Sequence, residues 1–96
     1  MAMNDPENNS DNDALFEFPC DFPIKAMGYT VDGFAQTVMG IVLQHAPDFD
    51  PATLEMRSSS TGKYLSVTCT IRAVSRAQLD ALYRELSGHP SVVMVL

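Results

Sequence analysis

Hydrophobic positions change their period repeatedly along this chain, and each change marks an element. Residues 22–28, from Phe22 through Ile24 and Ala26 to Gly28, read as a first strand that ends at Gly28. From Val31 the spacing becomes helical: Val31, Phe34, Val38, Ile41, Val42 and His45 fall along one stripe, and Pro47 stops it. Thr30 stands where an N-cap hydroxyl accepts a bond from a first-turn N–H. The segment Pro47-Asp48-Phe49-Asp50-Pro51 is a loop by composition.

A hairpin follows, with strands over Leu54–Ser58 and Tyr64–Ala73 joined through residues 59–63. In its second strand Leu65, Val67, Cys69 and Ile71 alternate with Ser66, Thr68, Thr70 and Arg72, the period-two pattern of a half-buried strand. Ser75 with Gln78 forms a capping box that opens a second helix. Leu79, Leu82, Tyr83 and Leu86 line its apolar stripe, and Gly88 marks its stop. The segment Ser91–Leu96 is a final strand, read as an edge strand. The order strand-helix-strand-strand-helix-strand predicts an α+β, ferredoxin-like βαββαβ sandwich: a four-stranded antiparallel sheet with two helices on one face.

Charge refines this picture at the N-terminus. Asp5, Glu7, Asp11 and Asp13 fall within the first thirteen residues, which hold no Lys or Arg, so the rest of the chain carries eight acidic and six basic side chains. Residues 1–13 are too polar to offset the entropy of ordering and read as a disordered acidic tail; residues 14–96 form the domain. The overall charge of −6 argues against nucleic acid and anionic membranes as partners, since both are bound through clustered Lys and Arg. No signal-peptide pattern and no apolar run of the ~18 residues that span a bilayer is present. With Cys20 and Cys69 widely spaced, the expectation is a cytoplasmic protein with reduced thiols.

Several stretches together resemble one family. They are Phe16-Glu17-Phe18-Pro19, Lys25-Ala26-Met27-Gly28, His45-Ala46-Pro47, Ser58-Ser59 and Gly62-Lys63-Tyr64-Leu65-Ser66-Val67, then Leu82-Tyr83 with Leu86, and Val93-Met94-Val95-Leu96. This ordered set over residues 14–96 resembles the small bacterial YbeD-like proteins. That resemblance implies a fold like the ACT-type regulatory domain of phosphoglycerate dehydrogenase, and by analogy control by a small molecule or a protein partner. Similarity of fold does not transfer function.

The candidate chemistry is sparse. The turn carrying Gly28, Tyr29, Asp32 and Gly33 looks most like an ACT ligand turn, where helix N–H groups hold a carboxylate and glycine lets the ligand approach. The same residues make a plain strand-to-helix turn in which Gly28 relaxes the backbone, and that reading is favoured over a ligand site. Tyr64 is placed like an aromatic of an RNA-binding sheet, but Ser66 stands where a second is needed and no cation cluster is visible in the sequence. An acylphosphatase needs an Arg after the first strand, and residues 28–31 hold no cation. Cys20, Cys69, His45 and His89 show no metal-ligand spacing, and no Ser or Cys has a neighbouring base. No cofactor and no catalytic activity are expected. Met39 and Leu43 on the first helix, with Val93 and Val95 on the last strand, form a candidate partner surface. The sequence therefore points to a non-enzymatic regulatory or protein-interaction module, self-associating or binding another protein; the alternative is a domain that senses an amino-acid-like small molecule.

Overall fold

The computed structural model describes residues 17–96; the tail expected over residues 1–13 lies outside them. The elements are β1 (Cys20–Tyr29), α1 (Phe34–His45), β2 (Glu55–Ser58), β3 (Tyr64–Ala73), α2 (Arg76–Gly88) and β4 (Val92–Val95). Every strand pair is antiparallel, in the spatial order β2-β3-β1-β4. This is the ferredoxin-like sandwich that the hydrophobic pattern predicts, with β4 on an edge.

The core lies between the helices and one face of the sheet. Ile24 and Ala26 of β1 and Val67, Cys69, Ile71 and Ala73 of β3 alternate onto that face, and all are buried. Phe34, Val38, Ile41 and Val42 of α1 and Leu79, Leu82 and Leu86 of α2 meet them. Each large aliphatic side chain so buried contributes roughly 1.5–3 kcal/mol. Phe49 is also buried, at 5% exposure, so the loop after α1 is pinned into the core by an aromatic anchor. A 3-10 turn over Pro51–Thr53 then leads into β2, with Asp50 Oδ1 accepting from the Ala52 N–H at 3.0 Å.

β1 is longer than expected and tolerates Pro23 in its middle. The backbone N–H and C=O of Lys25 both bond to Leu96, at 3.1 and 2.8 Å. Alternate residues point the same way, so Pro23 turns its nitrogen away from β3, and its missing N–H removes no bond from the β1–β3 ladder.

Two boundaries differ from the sequence reading. α1 starts at Phe34, not Val31, and its N-cap is Gly33 at φ 85°, with no side-chain cap. The left-handed glycine turns the chain into the helix. Val31 is left 53% exposed, and Thr30 is not a cap but donates its N–H to the Lys63 carbonyl at 3.0 Å.

The second correction concerns β4. Ala26 pairs with Val95 and Met27 with Met94, but Gly28 pairs with Val92, so Val93 is an extra residue in the ladder. A β-bulge of this kind resets which face the following side chains take. Val92 and Val95 consequently both turn to the core side, while Val93 and Met94 are 54% and 49% exposed. Strict alternation would have put Val93 and Val95 together on the outer face.

The capping box expected for α2 is met in part, its return bond going to the residue before the cap. Ser75 Oγ accepts from the Gln78 N–H at 3.0 Å, and Gln78 Oε1 accepts in return from the Val74 N–H at 2.7 Å. Gln78 Nε2 also donates to the His45 carbonyl at 2.8 Å, tying the start of α2 to the end of α1.

Candidate functional site

The sheet face opposite the helices carries the side chains that the core excludes. Register sets them in rows. Glu55 of β2, Thr68 of β3 and Lys25 of β1 form one row; Arg57, Ser66, Met27 and Met94 form the next. Tyr64 and Tyr29 form a third, with ring centroids 5.1 Å apart in a stacked arrangement. The Lys63 ammonium lies over both rings, 5.5 Å from Tyr64 and 6.0 Å from Tyr29. Arg72, farther along β3, stands opposite Asp21.

Four of the six cations of the chain thus stand on or beside one sheet face. Lys25, Arg57 and Lys63 make no ion pair within 4.0 Å among the described residues. Among the described residues, Glu55 is the one acidic side chain in the rows of Lys25 and Arg57. The surface is shallow, with an open depression of about 700 Å³ lined by Lys25, Glu55, Met56, Arg57, Ser66 and Thr68. A second, of about 190 Å³, adjoins it toward Met27, Ser59 and Tyr64. Met27 and Met94 therefore make an apolar patch on the β1–β4 side of the face, bordered by Lys25 along β1 and by Ser66 and Arg57 across the sheet.

The residues singled out in the strand-to-helix turn do not converge. A Cβ on Gly28 would stand 2.3 Å from the Ser91 carbonyl oxygen and 2.4 Å from Phe34 Cε1. That glycine makes room for the chain's own core aromatic and the neighbouring strand. Tyr29 projects to the opposite face of the sheet, and Asp32 and Gly33 are exposed beyond it. Met39 and Leu43 are half-buried and pack against the core, so α1 does not present them as a free surface.

Nucleophiles and metal ligands remain scattered. Among the described residues no group of three or more His, Cys, Asp and Glu side chains could hold a metal ion. Cys69 is fully buried, and desolvation pushes its thiol up to about 11. Cys20 is a half-buried free thiol at the start of β1. His45 Nε2 lies 2.6 Å from Glu85 Oε1, bridging the two helices. His89 Nδ1 accepts from the Ser91 N–H at 3.0 Å and shapes the turn into β4. No helix of the described residues is long and apolar enough to cross a membrane.

A family model described as "Protein of unknown function (DUF493)" matches residues 13–96. The chain belongs to the DUF493 family. A UPF0250 protein of Nitrosomonas europaea is 60% identical to this DUF493 chain over 84 residues, spanning 88% of the chain and 97% of the relative. A UPF0250 protein of Bordetella pertussis is 57% identical over 84 residues, spanning 88% and 92%. The family resemblance read from the sequence is thereby borne out.

Solved structures extend the likeness in fold. The solution structure of protein HP0495 from H. pylori superposes with a TM-score of 0.70 at 18% identity, covering 84% of this chain and 85% of that one. The ACT domain from GTP pyrophosphokinase of Chlorobium tepidum gives a TM-score of 0.60 at 18% identity, covering 79% and 84%. This DUF493 chain thus has an ACT-like backbone. At that identity the likeness concerns the fold alone.

Proposed function

We propose that this DUF493 chain is a non-catalytic binding module of the regulatory kind, acting through the sheet face that its helices leave uncovered. The observation that carries this reading is the gathering of Lys25, Arg57 and Lys63 on one face beside Met27 and Met94, with no ion-pair partner for any of the three cations among the described residues. Unpaired cations beside an apolar patch are the makings of a recognition surface that combines apolar and polar contacts. The ACT-like backbone supports the regulatory half of the proposal as an analogy of fold.

The β4 edge is the weaker candidate. It is only four residues long, and its bulge at Val93 breaks the flat ladder a second strand would need. The turn has less support as an amino-acid site, because Phe34 fills the space beside Gly28.

Site-specific photocrosslinking in the source cell tests the module reading. A photoreactive residue at Thr68 or Ser66 on the open face should give discrete higher-mass adducts. The same group at Arg84 or Ser87, exposed on α2, should not. Equal labelling from both faces, or none from either, would remove the proposal.

A further inference from the structure

The charge and spacing of this face also indicate what it takes. Lys25 and Arg57 lie two strands and one row apart, or about 12 Å from the usual strand spacing and rise. Carboxylates at alternate positions of an extended chain repeat every ~6.8 Å, so acids four residues apart span a similar distance. Met27 and Met94 lie side by side in the Arg57 row. Methionine adapts its shape to whatever apolar group sits on it. Ser66 and Thr68 stand between the charges, with Ser66 Oγ donating to the Arg57 carbonyl at 3.3 Å.

Two other occupants fit less well. Small-molecule sites are concave and bury most of their ligand, whereas this depression is broad and open. A nucleic-acid face needs aromatic rings free to stack on bases. Here Tyr29 and Tyr64 stack on one another with the Lys63 ammonium over both. Three cations are also too few to hold a polyanion strongly against an overall charge of −6.

Resting on the module reading, we infer that the open face binds an extended acidic segment of a partner protein, one whose carboxylates are held by Lys25, Arg57 and Lys63 and whose apolar side chain seats beside them on Met27 and Met94. The acidic charge follows from the unpaired cations, and the extended form from the flat, strand-spaced arrangement.

The test is an NMR titration of the full chain with a short oligoglutamate peptide carrying one central leucine. Oligoglutamine and oligouridylate of the same length serve as comparisons. A second full-length form with Asp5→Asn, Glu7→Gln, Asp11→Asn and Asp13→Asn is run alongside, so that the chain's own acids cannot mask the site. Binding of the glutamate peptide should move the amides of Lys25, Met27, Arg57, Ser66 and Thr68, weaken with added salt, and exceed that of oligoglutamine. Lys25→Glu with Arg57→Glu should weaken it roughly tenfold or more while leaving the remaining spectrum folded. No response in either form, equal binding of oligoglutamine, or tighter binding of oligouridylate would overturn the inference. Adducts from Thr68 in the crosslinking experiment without any response here would leave the module standing and its partner non-acidic.

Discussion

Gly28 shows how little room this molecule has at its centre. The Phe34 ring and the Ser91 carbonyl both stand within 2.5 Å of where a Cβ would be, and the carbonyl belongs to backbone that cannot rotate away. Overpacking a filled core costs about 1–3 kcal/mol. Gly28→Ala should therefore destabilise the fold by about 3 kcal/mol in urea unfolding, whereas a ligand-turn glycine would tolerate the change in the free protein. Cys69 gives a second residue-scale prediction. Its thiol ionises at an ordinary value of 9.0 when unfolded and at about 11 in the folded core, because burial disfavours the thiolate. The folded state therefore holds its proton longer, and the resulting stabilisation is complete below pH 9. It is lost as pH rises from there through about 11. Unfolding free energy should fall with pH across that window, and Cys69→Ala should flatten the slope. In native protein at pH 8, Cys69 should resist a thiol reagent that labels half-buried Cys20.

At the scale of elements, legibility tracks how local each determinant is. The alternation of β3 is written in consecutive residues, and its observed span Tyr64–Ala73 is the expected one. The cap of α2 is equally local, and its strength is open to test. Ser75→Ala removes one acceptor and should cost about 1 kcal/mol. Gln78→Ala removes the acceptor for the Val74 N–H and the donor to the His45 carbonyl. It should cost about 2 kcal/mol by the same denaturation measurement, since each such bond is worth about 1 kcal/mol. Val31 misleads because it falls in phase with the α1 stripe although a left-handed Gly33 intervenes. Apolar spacing carries no record of that turn. Phe49 is missed for the converse reason: its neighbours are loop formers, and only the packed helices show that its ring has somewhere to go.

The candidate face was the least legible feature because it exists only as a juxtaposition. Lys25, Arg57 and Lys63 are separated along the chain and form no basic run; antiparallel register alone brings them together, and sets Tyr29 beside Tyr64. The bulge in β4 was hidden likewise, since it is a property of pairing with β1 and leaves no trace in a run of apolar residues. Its consequence appears at the level of the whole molecule. Val93, Met94 and Leu96 are exposed along an uncharged edge, the kind of strand that recruits a second copy unless something interrupts it. The extra residue twists the ladder locally, so an incoming strand meets hydrogen-bonding groups out of step. Deleting Val93 would make the existing pairs of Met94 with Met27 and of Val92 with Gly28 consecutive, producing a flat apolar edge. Light scattering should then show mass rising with concentration for the deletion form relative to the intact chain. Adding Met94→Lys should suppress that rise, since a lysine on the edge opposes strand addition. An intact chain that already associates as strongly as the deletion form would mean that the bulge gives the edge no protection.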